Sequence, residues 1–119
     1  MVTPFGIYLR KLRLDHGEIM KDMARKLGVS SSFLSAVENG KKSAPAGWLD
    51  KLCELYNLSK EERNEVDYLI CVSQPSIKIN LMDLSKEKKT LAFSLSDHIR
   101  NMNDEDAAKA LKLLSDFLD

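Results

Sequence analysis

The side chains in this sequence that could do chemistry are short hydroxyls and cations, and they lie close together. Ser30, Ser31, Ser32 and Ser35 crowd one short stretch. Asn39, Lys41 and Lys42 come just after it, while Arg10, Lys11 and Lys21 precede it. Hydroxyls both donate and accept hydrogen bonds, and Lys and Arg carry fixed positive charge, so the set suits the binding of a polyanion. It does not suit covalent chemistry. His16 and His98 are the only histidines, far apart and with no nucleophile motif beside either. The sequence has no Gly-rich phosphate loop, no His-Glu-x-x-His and no paired Cys/His ligands. Asp104-Glu105-Asp106 has the spacing of a helix cap and lacks the remaining oxygen ligands of a calcium loop. No catalytic residue, metal or cofactor is expected.

Two short amphipathic segments must position these groups. From Met20, the apolar residues Met23, Ala24 and Leu27 repeat at helical spacing, and Val29, Phe33, Leu34 and Val37 do so again up to Asn39. Gly28 between them can take positive φ, and Ser30 can cap the second helix, so the chain stops one helix, turns and starts another. Ala24 is small enough to let the two helices cross closely. A sharp turn between two such helices is the helix-turn-helix unit, whose second helix can enter the DNA major groove.

Three motifs, Ala24-Arg25-Lys26-Leu27-Gly28-Val29-Ser30, Phe33 to Lys41 (FLSAVENGK) and Leu9-Arg10-Lys11-Leu12-Arg13, resemble the Xre, or lambda-repressor-like, family of DNA-binding domains. The resemblance covers roughly the first 58 residues. It implies a phosphate-binding loop at Asn39 and Lys41 with Lys42 adjacent, and an ion pair between Arg13 and Glu38. The family usually opens its first motif helix with Ser or Thr followed by a phosphate-binding Gln. Here those positions are Ile19 and Met20, which leaves Lys21 to supply the contact. Arg10, Lys11 and Ser30 are further phosphate-binding candidates. Once Ser30 caps the second helix, Ser31, Ser32 and Ser35 face the groove as base-reading candidates, with Ala36 and Phe33 beside them. Serine discriminates poorly between bases, so specificity is expected to lean on shape, spacing and phosphate contacts.

Charge obeys the same division. The chain carries 18 Lys or Arg and 18 Asp or Glu. Residues 1–42 hold eight of the cations and only four of the carboxylates, so the basic excess lies with the motif. Thr3-Pro4 should open a first helix carrying Phe5, Tyr8, Leu9 and Leu12 inward and ending near His16-Gly17. A fourth helix is expected from about Pro45 to Tyr56, with Trp48 closing the core or lying at a dimer seam. Ser59-Lys60-Glu61-Glu62 reads as a capping box for a fifth helix ending near Val72.

Beyond Pro75 the pattern changes. Ser76 to Leu81 alternates strictly, which predicts one β-strand, paired with the same strand of a second copy through Ile77, Ile79 and Leu81 or lying as an extended linker. Two more helices are expected, from about Ser85 to Asn101 and from Asn103 to the end. The expected fold is mainly α: a five-helix repressor-like domain (residues 1–72), a linker and strand (73–84), and a helical segment (85–119) for dimerisation or a protein partner. Cys53 and Cys71 lie in apolar helical contexts and read as reduced core thiols of a cytoplasmic protein. No leader-like N-terminus and no apolar stretch of membrane length is seen. The family resemblance implies a homodimeric transcriptional regulator of double-stranded DNA, acting as a repressor at an inverted repeat. Two alternatives stand beside it: an antitoxin-type autorepressor whose C-terminal segment binds a toxin, and an interaction module that does not read DNA.

Overall fold

A computed structural model describes residues 1–118. It divides into two compact units, Met1–Ile77 and the chain from Lys78 onward.

The first unit contains α1 (Pro4–Asp15), α2 (Met20–Leu27), α3 (Ser31–Glu38), α4 (Trp48–Tyr56) and α5 (Lys60–Ser73). Each begins or ends where the side chains dictate. The Thr3 hydroxyl accepts the Gly6 N–H at 3.1 Å, and Pro4 fills a first-turn position that needs no amide donor. Ser59 and Glu62 form a complete capping box: the Ser59 hydroxyl accepts from the Glu62 amide at 3.1 Å, and the Glu62 carboxylate accepts from the Ser59 amide at 2.9 Å. α4 starts at Trp48, three residues after the expected Pro45, because Gly47 precedes it in a left-handed conformation (φ 91°).

The apolar faces meet in one core. Phe5, Leu9 and Leu12 of α1, Met23, Ala24 and Leu27 of α2, Leu34 and Val37 of α3, Leu52 and Tyr56 of α4 and Val66 of α5 are all buried. Trp48, only 3 % exposed, belongs to this core. α1 packs on α3 and α5, and α2 packs on α3 and α4. A second tie joins the ends of the unit: the Ser73 hydroxyl accepts the Phe5 N–H at 3.1 Å, so the last residue of α5 caps the start of α1.

The expected strand is absent. Among the described residues every regular element is a helix, and residues 76–81 form no ladder. Alternation decides which side chains share a face, but a strand exists only through backbone bonds to a neighbouring strand, and none lies beside this segment among the described residues. Ile77 and Ile79 are 76 % and 58 % exposed and Leu81 is also exposed, in extended chain that forms no strand.

The second unit contains α6 (Lys86–His98) and α7 (Asp104–Leu118). Ser85 caps α6 by accepting the Lys88 N–H at 3.3 Å, and Asn103 caps α7 by accepting the Asp106 N–H at 2.7 Å. Asp104, Glu105 and Asp106 then occupy the first turn of α7, where negative charge complements the helix dipole. No described residue of either helix is buried.

Candidate nucleic-acid interface

Two glycines shape the edges of α3. Gly28 (φ 73°) ends α2, with the Val29 N–H donating to the Ala24 carbonyl at 2.9 Å and the Gly28 N–H to that of Arg25 at 3.1 Å. Gly40 (φ 72°) ends α3 the same way, through Lys41 N–H to Ala36 at 2.9 Å and Gly40 N–H to Val37 at 3.1 Å. Both are Schellman closures, which satisfy otherwise unpaired helix-end carbonyls. Between them the Ser30 hydroxyl accepts the Phe33 N–H at 3.1 Å. Ser31 and Ser32 stand exposed on the first turn, with Ser35 and Ala36 half-buried a turn later.

The far end of α3 is anchored from two sides. The Glu38 carbonyl accepts from the Thr3 amide at 2.9 Å and the Thr3 hydroxyl at 3.0 Å. Its carboxylate, fully buried, meets Arg13 Nη1 at 2.5 Å and Nη2 at 3.3 Å, a bidentate pair, with Arg10 Nε at 3.4 Å. Arg13 is itself buried, while the Arg10 side chain is half exposed. Gly6 lets α1 approach here, since a Cβ on it would overlap the Glu38 carbonyl group. The docking of α3 is thereby set by backbone contact as well as by charge.

The cations sort themselves by face. Lys41 and Lys42 are exposed just past α3, and the Lys42 ammonium sits over the Phe33 ring, 5.7 Å from its centroid. Phe33 in turn stands edge-on to Trp48, ring centroids 6.2 Å apart, which accounts for its half-buried state. The Asn39 amide turns back to donate to the Ser35 carbonyl at 2.8 Å. Lys21 is exposed in the first turn of α2. Lys11 lies elsewhere: it lines a groove between α1 and α5 beside Tyr8, Glu62 and Glu65. Burial, with Glu62 and Glu65 nearby, pushes the Tyr8 phenol above its ordinary pKa.

The missing cap of α2 is replaced from the opposite direction. Ile19 has no acceptor side chain, but the Asp22 carboxylate accepts the Ile19 N–H at 3.0 Å. Met20 packs partly on the core. The turn before α2 is held by Glu18, which pairs with Lys26 and accepts from the Tyr56 hydroxyl at 2.7 Å. Burial works against the Glu18 carboxylate, yet the hydrogen bonds from Lys26 and Tyr56 outweigh it and hold its pKa below the ordinary carboxylate value. The Tyr56 phenol moves the other way, raised by burial and by donating to Glu18. Lys51 closes the set by donating to the Leu27 carbonyl at 3.2 Å, so α4 caps the end of α2.

A family model for the helix-turn-helix domain matches residues 4–66, from the start of α1 to Val66 in α5. The chain belongs to the helix-turn-helix domain family. The match agrees with the Xre-like resemblance of the N-terminal half. No curated protein and no solved structure matches the chain. Membership of the helix-turn-helix family points to a DNA-binding regulator, and the domain's two motif helices are α2 and α3.

Several contacts of this helix-turn-helix domain were not anticipated from its sequence. Arg10 joining Glu38, Lys51 on Leu27 and Tyr56 on Glu18 bring together residues distant along the chain, while Lys42 over Phe33 and Lys26 on Glu18 join residues in neighbouring elements. Gly6 did leave a signal, since a glycine inside a helical pattern often marks close backbone approach. Cys53 is half-buried, whereas Cys71 is exposed, which corrects its expected place in the core. Among the described residues, no group of three His, Cys, Asp or Glu could hold a metal ion, and no helix is long and apolar enough to cross a membrane.

Proposed function

We propose that this protein is a sequence-specific transcriptional regulator that represses by occupying an inverted-repeat operator as a homodimer in the cytoplasm. The observation that carries the reading is α3: a helix anchored at its far end by Glu38 that leaves Ser31 and Ser32 exposed at its start, inside a helix-turn-helix domain. Such a helix enters the major groove with its N-terminal residues toward the base edges. Ser31, Ser32 and Ser35 supply hydroxyls there, and Ala36 with the half-buried Phe33 supplies apolar contact for a thymine methyl.

Lys21, Ser30, Lys41 and Lys42 hold the phosphates on either side, with Asn39 and the exposed part of Arg10 beside them. Lys11, among carboxylates in the α1–α5 groove, has the weaker claim to a phosphate. Serine hydroxyls alone rank bases poorly, so DNA shape and half-site spacing supply the remaining selectivity. The test is enrichment from a random-sequence duplex pool with the full chain at moderate salt. An inverted repeat should emerge. Recovery of nothing beyond salt-sensitive, sequence-independent binding would overturn the operator reading.

A further inference from the structure

Lys41 and Lys42 are neighbours in sequence and both are exposed just past α3, yet their side chains have different surroundings. Their backbones are held alike. The Lys41 and Lys42 amides both donate to the Ala36 carbonyl, at 2.9 Å and 3.3 Å. The Lys42 ammonium, however, lies over the Phe33 ring, 5.7 Å from its centroid, whereas among the described residues no ring or carboxylate meets Lys41. The ring is itself fixed: Phe33 packs on the core and stands edge-on to Trp48, 6.2 Å between centroids, and Trp48 is buried. A line of contacts thus runs from the core to one ammonium and passes its neighbour by.

An aromatic face does something here that a carboxylate could not. A carboxylate would hold the lysine by neutralising it, whereas the ring attracts the ammonium through its quadrupole and leaves the positive charge whole for an outside anion. Among the described residues no carboxylate pairs with Lys42. A lysine side chain loses rotamer freedom when it closes on a phosphate, and one ordered beforehand has less to lose. That saving is roughly two- to tenfold in affinity for a single side chain.

We propose that Phe33 is a positioning residue for phosphate binding: its ring, braced by Trp48, holds the Lys42 ammonium ready for a DNA phosphate, while Lys41 is ordered only on contact. The proposal rests on the reading of Lys42 as a phosphate ligand and names what readies it. It is separate from any contact of Phe33 with a thymine methyl.

Fluorescence anisotropy with a random-sequence duplex, which averages over base contacts, tests it through two double-mutant cycles on the full chain. Phe33→Leu should weaken binding roughly two- to tenfold while Lys42 is present, and should have little effect when combined with Lys42→Ala. The same change should cost an equal factor with and without Lys41→Ala. Phe33→Tyr keeps the ring and should keep the wild-type affinity. A general loosening of α3 would show as one uniform loss across both cycles. NMR of the free protein reads the seating without DNA: the ring current should move the Lys42 ε-methylene protons upfield of those of Lys41, and Phe33→Leu should abolish the difference. Absence of that displacement, or a Phe33→Leu loss that is the same with and without Lys42, would overturn the proposal and leave DNA binding standing. Duplex binding unchanged by Lys42→Ala would overturn both the proposal and the phosphate role of Lys42, even with the ring seating seen by NMR.

Discussion

Removing the Glu38 carboxylate is the perturbation whose cost the structure specifies most fully. Glu38→Ala leaves the Arg13 guanidinium buried with Met23 Sδ, 3.3 Å away, as its remaining partner, and frees Arg10 as well. A buried charge stripped of its counter-ion costs about 3–5 kcal/mol, because desolvation is no longer offset. A small domain holds roughly 5–15 kcal/mol in all, so the loss is a large part of its stability. At roughly 4–8 °C per kcal/mol, the midpoint should fall by at least about 12 °C. Urea unfolding and thermal melts followed by circular dichroism read both quantities. The companion variant Arg13→Met/Glu38→Leu should recover most of the loss, since replacing both partners with apolar groups removes the orphaned charge. A Glu38→Ala cost below about 1 kcal/mol, the value of an exposed ion pair, would refute the assignment of a buried, bidentate anchor.

The same geometry carries three further expectations. Lys41→Ala and Lys42→Ala should each lower the slope of log affinity against log salt by about 0.9 on duplex DNA, read by fluorescence anisotropy across a salt series. Gly6→Ala drives a Cβ into the Glu38 carbonyl group, so it should cost at least about 1–3 kcal/mol in urea unfolding through backbone displacement. Glu18 has a folded-state pKa below its ordinary 4.5, so its contribution is complete above the unfolded value and is lost as pH falls through the lower folded one. Glu18→Gln should therefore flatten the acid limb of a stability-against-pH profile while leaving the slope near neutrality unchanged.

The elements of the first unit were legible because local and tertiary signals agree there. Gly28 and Ser30 carry their turn and cap chemistry in their own residue types, and Ser59 with Glu62 does the same for α5. The core positions are set by helical spacing, which needs no knowledge of the partner helix. The site's details were less legible, since they depend on which side of a helix meets which neighbour. Arg10 and Lys11 are adjacent in sequence, yet one reaches Glu38 and the other lies among α5 carboxylates, about 100° apart around α1. The alternation of residues 76–81 misled for a related reason: period two describes side chains, whereas a strand is defined by the backbone beside it. Cys71 belongs to an apolar run of α5 but stands on the side of the helix that faces solvent.

That the start of α3 reads base edges is measured most directly by altered specificity. Ser32→Arg places a guanidinium on the exposed first turn, where a bidentate contact to guanine becomes available. Selection from a random duplex pool, run with the wild type and the variant side by side, should return two related inverted repeats. They should differ by a guanine gained at one symmetric position in each half-site, the other positions being kept. Identical motifs from both proteins, or a variant that gains only uniform, sequence-independent affinity, would contradict the placement of α3 in the groove.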